Sequence, residues 1–113
     1  MSAPRPGRPV RGSTTGRPLM AALDLLGRRW ALRVLWELRD GPIGARALLG
    51  RCPGLSSSVL YSRLRELEEA GLVRQLDGEW ELSPLGAELG GSLAPLDAWA
   101  RRWAERTGGR AER

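Results

Sequence analysis

The sequence contains no histidine and a single cysteine, Cys52. Without histidine the usual general base at neutral pH is missing. One cysteine and no histidine leave no ordinary zinc site, and a lone thiol cannot staple a fold, which suits a reducing compartment. No Gly-rich phosphate loop of the Walker or dinucleotide type occurs. Adjacent carboxylates such as Glu68 and Glu69 point different ways on a helix and suit a solvated face. These absences argue against an enzyme, so no catalytic residue, metal ligand or cofactor is assigned. No apolar run nears the ~18 residues that would span a bilayer, and no apolar stretch follows the charged N-terminus as in a secretory signal. The expectation is a cytoplasmic, nucleoid-associated protein that does not contact membranes.

Lysine is also absent, so all 18 basic residues are arginine, set against 13 acids for a net charge of +5. A GC-rich coding bias accounts for that choice. Arg5, Arg8, Arg11 and Arg17 stand near the N-terminus with no acid among the first 17 residues, leaving the remainder close to neutral. Residues 1–16 combine the first three of these arginines with Pro4, Pro6 and Pro9 and little that is apolar, a composition that predicts a disordered basic arm able to track DNA phosphates or the minor groove. A chain of 113 residues that is 42% hydrophobic fits one compact domain. We place that domain at residues 17–106 and a flexible tail at 107–113.

Hydrophobic periodicity within the domain predicts four helices, a hairpin and a last helix. Leu19, Ala22, Leu23 and Leu26 make one face of a helix over Pro18–Leu26, with proline at its first position and Gly27 as its stop. A second helix is predicted over Arg29–Arg39, closed by Asp40-Gly41-Pro42. A short third runs from Gly44 to Gly50. The turn Cys52-Pro53-Gly54 follows, then Ser56, Ser57 and Ser58, where a serine can cap a helix from Ser57 to Ala70. Leu60, Leu64 and Leu67 form that helix's buried seam. Two short helices across a turn make a helix-turn-helix. Asp77-Gly78 then joins two alternating segments as a two-residue hairpin, the wing at 73–82. Leu85, Leu89, Ser92, Leu96, Trp99 and Trp103 follow in steps of four and three along a last helix opened by Ser83-Pro84, with a kink or break expected near Pro95. The fold read from this order is mainly α with a small β-hairpin: a winged helix-turn-helix in the order α-α-α-α-β-β-α.

Four stretches then resemble the HxlR family of bacterial winged-helix regulators: Leu23-Asp24-Leu25-Leu26-Gly27-Arg28-Arg29-Trp30; Pro53-Gly54-Leu55-Ser56; Arg63-Leu64-Arg65-Glu66-Leu67 with Gly71-Leu72-Val73; and Leu82-Ser83-Pro84-Leu85-Gly86. The resemblance covers about Arg17–Trp103. It implies a homodimer joined through the first and last helices that represses or activates from operator DNA. Three departures stand out. Many relatives carry a redox-active cysteine before the first helix, where this chain has Arg17. Relatives place an arginine-aromatic pair early in the third helix, where this chain has Gly44-Ala45. The wing is also shorter than usual. Cys52 is read as a structural thiol rather than a sensor.

If Leu60, Leu64 and Leu67 face inward, then Ser57, Ser58, Tyr61, Ser62 and Arg65 can enter a major groove. Arg65 is the candidate base reader, since its fork pairs with guanine at two points. Arg63, nearer the seam, grips either a phosphate or an acid of its own domain. Arg46 and Arg74 are candidate phosphate contacts. Leu19, Leu23, Leu89, Leu96, Trp99 and Trp103 are the predicted dimer surface. The function read from this is a transcriptional repressor that binds a palindromic double-stranded DNA operator as a homodimer. Two alternatives stay open: a winged-helix module that binds protein, and a MarR-like regulator whose small-molecule effector sits among Trp30, Trp36 and Trp99.

Overall fold

A computed structural model describes residues 3–109. Its elements run α1 (Pro18–Leu26), α2 (Ala31–Glu37), β1 (Ile43–Gly44), α3 (Ala45–Gly50), α4 (Ser57–Glu69), β2 (Val73–Leu76), β3 (Glu79–Leu82) and α5 (Pro84–Arg106). The helices enclose one core, in which Val34, Leu35, Leu38, Leu48, Leu60, Leu64 and Leu67 are almost wholly buried. The seam of α4 is therefore the inward one. The caps agree with the local chemistry: Ser56 Oγ accepts from the Val59 amide at 3.3 Å, and Ser83 Oγ from the Gly86 amide at 3.0 Å, each satisfying a free helix-start donor.

The sheet has three strands rather than the two expected, all antiparallel in the order β1-β3-β2. Ile43 pairs with Trp80, and both are buried. A lone hairpin is marginal in water, and this two-residue strand anchors it to the body. The strand is too short to show alternation, which is why the pattern hid it. At the wing tip Asp77 and Gly78 both have positive φ, 52° and 81°, as a type I′ turn requires.

Other expectations are corrected. The second helix begins at Ala31 because Trp30 lies in the left-handed region at φ 72°, which no helix can include. The last helix runs without a break through Pro95. Proline removes one hydrogen bond there, from the carbonyl of Gly91; Gly91 is exposed, so water can reach it. Residues 3–16 do not stand away as an arm. Ala3 is buried in the core, the Arg11 amide donates to Asp24 Oδ2 at 3.1 Å, and Arg5 pairs with Glu69 at 3.1 Å. The segment turns through Val10–Ser13 and closes by a bond from the Gly7 amide to the Gly16 carbonyl at 2.9 Å. Composition alone gave too little weight to these few anchors. Of the predicted tail, Thr107–Gly109 wrap the end of α5, with the Gly109 amide on the Ala104 carbonyl at 2.7 Å; residues 110–113, like 1–2, lie outside the described residues.

Gly86 shows why a glycine follows Ser83-Pro84. A Cβ there would lie 2.0 Å from the Leu72 carbonyl oxygen, which already accepts from the Ser83 amide at 2.9 Å. Gly86→Ala must push α5 off the start of the wing and should cost about 1–3 kcal/mol, read as a lower urea midpoint. An unchanged midpoint would mean that this approach is looser than described.

Candidate nucleic-acid interface

The candidate surface follows from the phase of α4. With Leu60, Leu64 and Leu67 at 1% exposure or less, the side chains on the flanks and opposite face of the helix turn outward. Ser57, Ser58, Tyr61, Ser62 and Arg65 are all exposed, and Ser57, Tyr61 and Arg65 form one row at four-residue steps. Arg46, in the first turn of α3, is exposed beside them. A shallow cleft of about 190 Å³ between the two helices is lined by Ala45, Arg46, Leu49, Ser57, Leu60 and Tyr61. Five of the eight predicted contacts thus share the α4 face, with Arg46 at its edge. Among the described residues neither Arg46 nor Arg65 makes an ion pair.

Two predicted contacts are engaged elsewhere. Arg63 Nε donates to the Arg29 carbonyl at 2.6 Å and Nη1 to Glu66 Oε1 at 2.7 Å. It grips its own domain, the second of the two roles open to it. Arg74 lies directly across the hairpin from Glu81 and pairs with it at 2.6 Å. Cross-strand neighbours of opposite charge attract, and residues 73–82 carry one arginine against Asp77, Glu79 and Glu81. The wing is therefore a poor phosphate grip.

The acids of α4 are mostly neutralised. Glu66 accepts from Arg28 Nη1 at 2.6 Å as well as from Arg63, and Glu69 from Arg5. Among the described residues Glu68 alone is left without an ion pair in the acidic half, while the first half of the helix carries no acid. The Arg28–Glu66 contact spans 38 residues and gives no local sequence signal. The Arg63–Glu66 spacing of three was legible.

A second surface lies on α1 and α5. Leu19, Leu23, Leu96, Trp99 and Trp103 are each about half exposed or more, as is Leu85. Trp99 and Trp103 stack with centroids 5.7 Å apart and planes 6° apart. Leu89 is different: it packs in part against its own core. The three tryptophans expected around an effector do not gather. Trp36 lines a groove with Leu32 and Leu96, Trp30 packs against the core, and Trp99 stacks on Trp103. Cys52 is 1% exposed; burial pushes its thiol above the usual range, with Arg33 opposing and Glu37 adding to the rise. A raised pKa disfavours the reactive thiolate. No helix among the described residues is long and apolar enough to cross a membrane.

Comparison with known proteins places this arrangement. The sequence profile of the HxlR-like helix-turn-helix family matches residues 25–108. The chain is similar to the HTH-type transcriptional regulator YodB of Bacillus subtilis (strain 168), 31% identical over 101 residues that cover 83% of this chain and 90% of the relative. It is also similar to the uncharacterized HTH-type transcriptional regulator YtcD of the same organism, 30% identical over 96 residues covering 79% and 76%. The crystal structure of quinone-bound YodB superposes with a TM-score of 0.71 at 29% identity, covering 75% of this chain and 97% of that one. A possible HxlR family transcriptional factor from Thermoplasma volcanium GSS1 gives 0.70 at 26%, covering 78% and 85%.

Proposed function

The chain belongs to the HxlR-like helix-turn-helix family of DNA-binding transcriptional regulators, and on that basis we propose that it binds a palindromic operator as a homodimer and represses by occupying it. The observation that carries this reading is the phase of α4: its leucines are buried and its serine-tyrosine-arginine face is open. Arg65 reads a guanine through its two-point fork. Ser57, Ser58, Tyr61 and Ser62 contact bases or phosphates around it, and Arg46 holds a phosphate beside α3. The exposed leucines and tryptophans of α1 and α5 join two subunits, so that two α4 helices meet successive major grooves ~34 Å apart. Occupancy of operator DNA places its action in the cytoplasm.

Replacing Arg65 by alanine should cost about 1–3 kcal/mol of operator affinity and relax the preference at one base pair per half-site. Competition against operators varied one position at a time measures both. An equal loss on every sequence would move Arg65 from base to phosphate.

One observation favours an effector as well. An open cavity of about 810 Å³ lies between residues 4–6, α1, the end of α4 and α5, with Ala22, Leu25, Leu72, Leu85 and Leu89 among its lining. An apolar small molecule held there would touch both the subunit-joining helices and the recognition helix, and should change operator affinity. Operator affinity that stays constant while such a molecule binds would remove this reading.

A further inference from the structure

The turn between α1 and α2 touches the recognition element at two places. At one, Arg28 Nη1 donates to Glu66 Oε2 at 2.6 Å, and the Arg29 carbonyl accepts from Arg63 Nε at 2.6 Å. Glu66 is bracketed on its other oxygen by Arg63 Nη1 at 2.7 Å, and its side chain is only 14% exposed. At the other, a Cβ added to Gly54 would lie 3.9 Å from Trp30 Cζ2, so the indole sits against the turn that leads into α4. Ser57 and Glu66 are separated by ~13 Å of helix. Contacts toward both ends of a rod of that length restrain its tilt as well as its position.

The turn itself is stiff. Trp30 is held at φ 72°, a conformation costly for a bulky residue that persists only where its surroundings impose it. The Ala31 amide closes the turn on the Arg28 carbonyl at 3.0 Å. The turn continues directly from α1, whose outer side carries the exposed Leu19 and Leu23. Charge-assisted hydrogen bonds to a largely buried carboxylate are shorter and stronger than neutral ones, and loss of one partner leaves an uncompensated charge.

We infer that Glu66 is a positioning residue: clamped by Arg28 and Arg63, it fixes α4 relative to α1 and thereby sets the half-site spacing that the dimer accepts. The inference rests on the homodimeric operator reading above and adds the residue that determines its geometry. A subunit with this clamp holds its recognition helix at one distance and angle from the twofold axis. Without it, the two helices adapt to other spacings.

The test uses the full-length protein and the palindromic site it selects from random duplexes, together with versions lengthened or shortened by one base pair at the centre. Each such change shifts one half-site by ~3.4 Å and rotates it by ~36°. The unaltered protein should prefer the original spacing by about tenfold or more, whereas Glu66→Gln and the more exposed Arg28→Gln should reduce that preference to about threefold or less. Affinity for a single half-site should stay within about twofold, and circular dichroism should show folded protein for Arg28→Gln at least. Two results overturn the inference: spacing preference unaltered in Arg28→Gln, or a loss equal on half-site and full site, which would make the clamp a matter of stability alone. If the unaltered protein selects no site, or is indifferent to spacing, the dimeric operator reading falls and the inference with it.

Discussion

Raising the salt from 50 to 200 mM should weaken operator binding by about 10³-fold. Each arginine that neutralises a phosphate releases condensed counterions, so the logarithm of affinity falls linearly with that of salt. About six phosphate contacts per dimer give a loss of this size, and ten would give about 10⁵. The lower figure follows from the ion pairs. Arg63 and Arg74 are engaged with Glu66 and Glu81, and Arg65 is committed to a base, which leaves Arg46 and the exposed N-terminal arginines Arg8 and Arg11 to meet phosphates in each subunit. Deleting residues 1–16 should therefore flatten the slope. Fluorescence anisotropy across the salt series measures it, and a loss below about tenfold would mean that phosphates contribute little here.

The second large effect is expected from Trp99→Arg or Leu23→Arg. Both residues are half exposed, so neither change should unfold the subunit, and sedimentation should show monomer in place of dimer. Operator affinity should then fall by about 10²–10⁴-fold, because the second half-site no longer benefits from the first. Arginine is chosen on purpose. It adds positive charge, so a loss of affinity cannot come from weaker attraction to DNA. A dimer that persists in both variants would place the interface elsewhere.

Much of this architecture was legible because it rests on local rules. The leucine seam at 60, 64 and 67 has helical period, Asp77-Gly78 has the chemistry of its turn, and Ser83-Pro84 opens a helix as expected. Exposed interface candidates were legible too, since Trp99 and Trp103 exceed what so small a body covers. What escaped depends on distant partners. The two-residue β1 has no pattern of its own and exists through Trp80. The left-handed Trp30 is imposed by what surrounds it. Residues 3–16 read as free arginines and prolines, yet a buried alanine and two acids of the body, Asp24 and Glu69, hold them down. For the site, the α4 row followed from periodicity alone, but the hold of Arg28 on Glu66 and of Arg5 on Glu69 did not. An arginine's availability is set by which carboxylate lies within its reach, and spacing showed that only where partners share a helix or face each other across a tight hairpin.

Methylation interference on the selected operator tests the groove assignment most directly, since it reports guanine N7 in the major groove and adenine N3 in the minor. N7 interference is expected in two patches about one helical turn apart, with one guanine in each patch losing its effect in Arg65→Ala. Interference confined to adenine N3, or an N7 pattern unaltered by that substitution, would contradict the placement of this face of α4 in the major groove.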